Sequence, residues 1–137
     1  MKYWLLKTEP DDWSWKMQIK AGSEGAEWNG VRNFQAAKNL KNMTKGDKCF
    51  FYHTGKIKSI VGVAEVIKEA FLDKSDSSGK IVSIKIKALY PLKNQVGLSE
   101  IKKNKLFRDF YLVKQSRLSV MSVDLKYWKK ICKMGKV

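Results

Sequence analysis

Ile57-Lys58-Ser59-Ile60-Val61-Gly62-Val63-Ala64-Glu65-Val66-Ile67-Lys68-Glu69 is followed, after a polar break, by Val82-Ser83-Ile84-Lys85-Ile86-Lys87-Ala88, and this pair of runs decides the fold. The first run is continuously apolar through Val61-Gly62-Val63-Ala64, the pattern of a strand covered on both faces. The second alternates, with Val82, Ile84, Ile86 and Ala88 on one face and Ser83, Lys85 and Lys87 on the other. Between them, Asp-Lys-Ser-Asp-Ser-Ser-Gly-Lys at 73–80 reads as a polar hairpin loop. Pro91 is expected to end the return strand, because its nitrogen has no proton for the ladder.

Outward from this hairpin the elements stay short. Lys48 to His53 is a further strand. Before it, Asn33 is placed to cap a helix from Phe34 to about Met43, with Phe34, Ala37 and Leu40 as its apolar positions and Gly46 as its stop. Tyr3 to Lys7 makes the first strand, halted by Glu9-Pro10. Asp11-Asp12 then begins a polar-aromatic turn or short helix through Trp13, Trp15 and Ile19, and Gly22 to Gly25 is a loop. On the downstream side, Ser99-Glu100 starts a short helix through Ile101, and Phe110 to Gln115 leads into a strand at Leu118 to Val123. Asp124 is placed to cap a last helix that turns Leu125, Trp128 and Ile131 to one side and closes at Gly135. Several closely spaced strands with helices inserted between them predict one α+β domain over 1–137, an antiparallel or mixed small barrel.

Composition narrows the class. The 137 residues are 44% hydrophobic and 12% aromatic, enough for one core and too rich for disorder. The longest apolar stretch, around Ile60 to Ile67, is strand-length and interrupted by Glu65, so no membrane span is expected. Lys7 and Glu9 arrive too early for a secretory signal. Cys49 and Cys132 stand far apart beside a single histidine, which cannot supply the roughly four ligands of a zinc site. The expectation is a buried thiol at Cys49, no cofactor, and a reducing interior compartment: cytoplasmic, or nuclear in a eukaryote.

The charge is +15 and uneven. Residues 1–40 hold six basic and five acidic side chains, whereas residues 41–137 hold 22 and eight. Such a surplus favours polyanions, since each neutralised phosphate releases condensed counterions. A lysine-rich proteome would leave the same surplus as merely solvated faces, and charge alone does not choose between these.

Four motifs carry polar chemistry. Lys7-Thr8-Glu9-Pro10 puts a cation and an acid two residues apart on an extended chain, hence on one side. There Glu9 would accept from an exocyclic amine and Lys7 would hold an anion; the alternative is an ordinary strand-end turn. Trp28-Asn29-Gly30-Val31-Arg32-Asn33 packs an aromatic, a flexible glycine, a forked cation and an amide into a helix entry, the groups a flat heteroaromatic ligand needs. The alternative makes Trp28 core and Asn33 only a cap. Tyr52-His53-Thr54-Gly55 opens from a strand end into a turn, and Gln115-Ser116-Arg117-Leu118-Ser119-Val120 alternates polar side chains along a strand. No phosphate-binding Gly-rich loop, nucleophile elbow or zinc-protease motif is present.

In order, Tyr3-Trp4-Leu5-Leu6-Lys7-Thr8-Glu9-Pro10, Trp28 to Ala37, Phe51-Tyr52-His53-Thr54 and Ser116-Arg117-Leu118-Ser119-Val120-Met121 resemble the EVE domain, a PUA-like relative of the YTH and SRA nucleobase readers. The resemblance covers essentially the whole chain. It implies a small bent mixed β-barrel surrounded by short helices. It further implies a pocket for a single, modified, cytosine-type base in DNA or RNA. Carried over residue by residue, that pocket would be walled by Lys7, Glu9, Trp28, Arg32, Asn33, Tyr52, His53, Thr54, Ser116, Arg117 and Ser119. The chain departs from the family pattern at Ser122, where proline is common, and a less fixed strand exit is expected there. A non-catalytic, monomeric reader with a basic surface on the phosphate backbone is the implied function. The alternative is an ASCH-like hydrolase of a modified cytosine nucleoside using Lys7, Thr8 and Glu9. Strand alternation argues against that set by turning Thr8 to the opposite face.

Overall fold

The computed structural model describes residues 1–137. Six strands form one mixed sheet: β1 (Tyr3–Thr8), β2 (Ala26–Trp28), β3 (Lys48–His53), β4 (Ser59–Leu72), β5 (Val82–Gly97) and β6 (Val120–Ser122), in the spatial order β2-β5-β4-β3-β1-β6. β1 runs parallel to β3, with Leu5 opposite Phe50, and every other neighbouring pair is antiparallel. Five short helices surround the sheet: α1 (Trp15–Lys20), α2 (Phe34–Lys41), α3 (Leu98–Lys103), α4 (Tyr111–Lys114) and α5 (Leu125–Met134).

The β4–β5 hairpin is the frame, as its hydrophobic pattern predicts. Pro91 does not end β5. The strand continues to Gly97 because the ladder slips around it: Pro91 faces Gly62, and the next pair is Val96 with Ile60. Irregularities of this kind absorb a residue without an N–H and bend the strand, which curls the sheet into a half-barrel. Gly62 is required at the same place, since a Cβ there would collide with the Trp15 ring. The tryptophan lies flush on β4 only because glycine leaves it room.

β3 lies between β4 and β1 and is covered on both faces. Successive side chains on a strand point oppositely, and Phe50 and Phe51, both fully buried, divide the core. Phe50 stacks on Trp128 of α5 at 3.8 Å, and Trp128 stacks on Tyr3 at 4.5 Å. Phe51 meets the edges of Trp15 and Trp28 at 5.1 and 5.7 Å. Each full burial of such an aromatic contributes roughly 1.5–3 kcal/mol.

Some local readings change. α1 begins at Trp15, capped by the Ser14 hydroxyl, while Asp12 and Trp13 donate their N–H groups to Glu9 O in the turn before it. Of the two readings for this stretch, Asp11 and Asp12 take the turn and the helix follows it. Phe34 is 72% exposed; as the first residue of α2 it lies outside the buried face of Ala36, Ala37 and Leu40. In α5 the buried residues are Tyr127, Trp128 and Ile131, and Leu125 faces out. Asp124 occupies the cap position there without a side-chain bond. The exit of β6 is held although proline is missing, because Val123 N–H donates to Tyr3 O at 2.8 Å.

Candidate functional site

The end of β1 is where the sheet leaves open space. Lys7 N–H donates to Ser119 O, and Thr54 N–H donates to Thr8 O, both at 2.9 Å. These bonds bring the first motif beside the third and fourth. The Lys7 ammonium donates to Ser116 O at 2.9 Å and lies 5.8 Å from the Tyr52 ring centre. Glu9 Oε2 accepts from the Thr54 hydroxyl at 3.3 Å. Gly55, with φ +74°, makes room for that carboxylate, since a Cβ there would approach Glu9 Oε2 to 2.9 Å.

Lys7, Thr8, Glu9 and Ser119 form a wall with a cavity on each side. The first cavity, about 560 Å³, has Trp13, Trp28 and Val31 as its apolar side and Glu9, Asp12, Glu27, Lys7 and Arg32 as its charged groups. Its floor is fixed from below. Trp13 Nε1 donates to Gln18 Oε1 at 2.8 Å, and the fully buried Gln18 amide donates on to Ile86 O at 3.1 Å. Sequence reading passed over Trp13, Glu27 and Gln18; only the indole next to the Lys7–Pro10 turn offered a signal.

The outer lip of this cavity is held by the loop between β4 and β5. Asp73 Oδ2 accepts from Gly30 N–H at 2.8 Å, and Asp73 Oδ1 accepts from Ser75 N–H and hydroxyl at 2.9 and 2.7 Å. Arg32 Nη2 donates to Ser75 Oγ at 3.1 Å. Bonds from the Ser75 hydroxyl, then from Gly30 and Ser75 N–H, bring the Asp73 carboxyl down to about 2. The polar hairpin loop at 73–80 is thus also a latch on the Trp28–Arg32 motif. Gly30 answers it with φ +72°, a conformation that favours glycine.

The second cavity, about 500 Å³, is lined by Tyr52, Thr54, Lys58, Lys102, Ser116 and Arg117 beyond the shared wall. Burial lowers the Lys7 ammonium below its usual range and raises the Tyr52 phenol to about 12.

The candidate residues therefore divide. Lys7, Glu9 and Ser119 border both cavities; Trp28 and Arg32 border the first; Tyr52, Thr54, Ser116 and Arg117 border the second. Asn33 borders neither. Its Oδ1 caps α2 by accepting from Ala36 N–H at 2.9 Å, and it lies along a separate groove that also meets Ser116 and Arg117. His53 borders neither as well, being buried with Nε2 accepting from Trp15 N–H at 3.0 Å. An Nε2 that accepts carries no proton, and burial lowers the His53 pKa with the Glu9 charge opposing. Thr8 borders both cavities despite strand alternation, but its hydroxyl donates to Trp13 O at 3.0 Å. No cluster of three His, Cys, Asp or Glu side chains is placed to hold a metal, and Cys49 is a fully buried thiol raised by desolvation.

Comparison with known proteins agrees with this fold. The EVE domain model matches residues 2–134. A Rhodopseudomonas palustris protein solved by NMR is 46% identical, with a TM-score of 0.94 over 99% of this chain and 94% of that one. Human THYN1, solved in complex with 5-methylcytosine-containing DNA, is 22% identical, with a TM-score of 0.92 over 100% of this chain and 99% of that one; this likeness is one of fold. Among curated proteins, mouse thymocyte nuclear protein 1 is 40% identical over 81 residues, which is 52% of this chain and 36% of that protein. The matched part thus spans little more than a third of such relatives' length.

Proposed function

The chain belongs to the EVE domain family, and from that premise we propose that it is a non-catalytic reader that holds one modified, cytosine-type base of DNA or RNA in the first cavity. Its curled mixed sheet ringed by short helices is PUA-like. The observation that carries the reading is the first cavity itself, where carboxylates stand beside indoles. Cytosine presents its N4 amine as a donor, and a Glu or Asp oxygen is its matching acceptor. Glu9 lies at the wall for that bond, while Trp28 and Val31 offer apolar surface to a ring substituent. A volume of about 560 Å³ is ample for one base. Extruding a base from a duplex costs a few kcal/mol, which stacking and edge bonds of this kind offset. Human THYN1, of the same fold, is the supporting precedent through its complex with 5-methylcytosine-containing DNA.

The site has no assigned catalytic role in this reading. An ASCH-like hydrolase would use Lys7, Thr8 and Glu9 together, and here the Thr8 hydroxyl is committed to Trp13 O. Incubation with modified cytosine nucleosides is expected to yield no new product by chromatography.

The reader is tested by titrating oligonucleotides that differ at one position, 5-methylcytosine, cytosine or thymine. Wild type should favour 5-methylcytosine. Glu9→Gln should erase most of the preference for cytosine over thymine, about tenfold for ~1.4 kcal/mol. Trp28→Phe should lower the preference for the methylated base. Equal affinity of wild type for all three would overturn the proposal.

A further inference from the structure

We propose that the second cavity is a phosphate subsite, so that one nucleotide straddles the Lys7–Glu9 wall with its base in the first cavity and its flanking phosphodiester in the second. The proposal rests on the first cavity being the base pocket. Its own evidence is the opposite charge of the two spaces. The first has three carboxylates, Glu9, Asp12 and Glu27, against the cations Lys7 and Arg32. The second has four cations, Lys7, Lys58, Lys102 and Arg117, against Glu9 alone. A phosphate is repelled by one and attracted by the other.

The fold gathers these cations without neutralising them. Leu98 N–H donates to Lys58 O at 2.8 Å, which pins the β3–β4 turn to the start of α3 and sets Lys58 beside Lys102. Lys58 holds φ 44°, a left-handed backbone that a lysine rarely adopts, and such strain is concentrated at functional positions. The ion pairs of the molecule are Lys87 with Glu65 and Lys114 with Asp109; none involves Lys58, Lys102 or Arg117. Lys7 adds a cation partly withdrawn from water, its pKa lowered by burial. Four cations against one carboxylate leave this cavity with a positive surplus, and a phosphodiester supplies the opposite charge with several acceptor oxygens. Beyond Lys58 and Lys102 an adjoining hollow of about 400 Å³ adds Lys56, which extends the basic track for a second phosphate.

The test uses one oligonucleotide sequence carrying 5-methylcytosine, cytosine or an abasic site at the same position, with Kd measured across a salt series. Lys58→Gln with Lys102→Gln is compared with Lys129→Gln with Lys133→Gln, exposed positions on α5. The first pair should weaken all three probes by a similar factor, ~10-fold at low salt. It should also flatten the slope of log K against log salt by about 0.7–0.9, the share of one phosphate. The preference among probes should stay at the wild-type value, and the α5 pair should leave the slope unchanged. An unchanged slope in the first pair, a loss confined to the 5-methylcytosine probe, or an equal change in both pairs would overturn the phosphate subsite. If wild type does not distinguish the three probes, the base reading fails, and the abasic slope still decides the subsite. Absence of binding to every probe defeats both.

Discussion

The two ends of β1 treat charge in opposite ways. At the start of the strand, the buried Asp47 carboxylate accepts from Lys2 N–H at 3.1 Å, Trp4 Nε1 at 3.0 Å and Thr44 N–H at 2.9 Å. Burial pushes its pKa up, and those bonds from Thr44, Trp4 and Lys2 more than offset it, leaving the pKa below the ordinary value. At the other end of the strand Lys7 and Glu9 face open cavities, and the cations across the second one lack carboxylate partners. A charge satisfied on every side serves stability; charges left unmatched beside a cavity are available to a ligand.

The largest expected effect would break that comparison at its closed end. Asp47→Ala strands the Trp4 indole N–H and two backbone donors, and should cost about 3 kcal/mol, or roughly 10 °C in thermal midpoint. Discrimination among bases should be retained by the molecules still folded. A midpoint within a degree of wild type would show that the closed end is not the stabilising one.

Asn33→Ala is expected to be smaller, about 1 kcal/mol from the lost cap of α2. Thermal unfolding should report that loss while the 5-methylcytosine to cytosine ratio stays constant. A changed ratio would return Asn33 to the base pocket and move the boundary between the two regions.

The pH dependence sharpens the comparison most finely. His53 has a native pKa lowered from 6.5 by burial, so the unfolded chain binds its proton first. Its contribution is whole above pH 6.5 and is lost as pH falls below that value toward the native pKa. Melts at pH 7.5 and 5.5 should show a lower midpoint in acid, and His53→Gln should narrow the gap. An equal gap in both proteins would assign the acid sensitivity to other groups.

Much of the frame was legible because a period of two over Val82–Ala88 and an unbroken apolar run over Val61–Ala64 have few other solutions. β2 was not legible, since three residues are too few to show alternation. Pro91 misled because its cost inside a strand depends on a ladder irregularity that only the pairing reveals. Phe34 misled because spacing gives a helical face but not whether its first turn is covered. At the site, the motif order brought Lys7, Glu9, Trp28, Arg32 and Ser119 to one cavity's edge, but capping and pocket lining ask for the same amide, and Asn33 could not be divided between them in advance. The Asp73 latch lay beyond reach, because nothing local in a Ser/Asp-rich hairpin says which distant N–H it meets.

That latch has an evolutionary and practical consequence. Because Asp73 grips the Gly30 amide from a loop that belongs to another part of the chain, the hairpin tip can vary in length and composition while moving the lip of the first cavity. On the proposed reading of the first cavity, changes at 74–80 would alter selectivity without entering the cavity. A library randomised there, with Asp73 and Ser75 kept, would sample pocket shapes at little risk to the core.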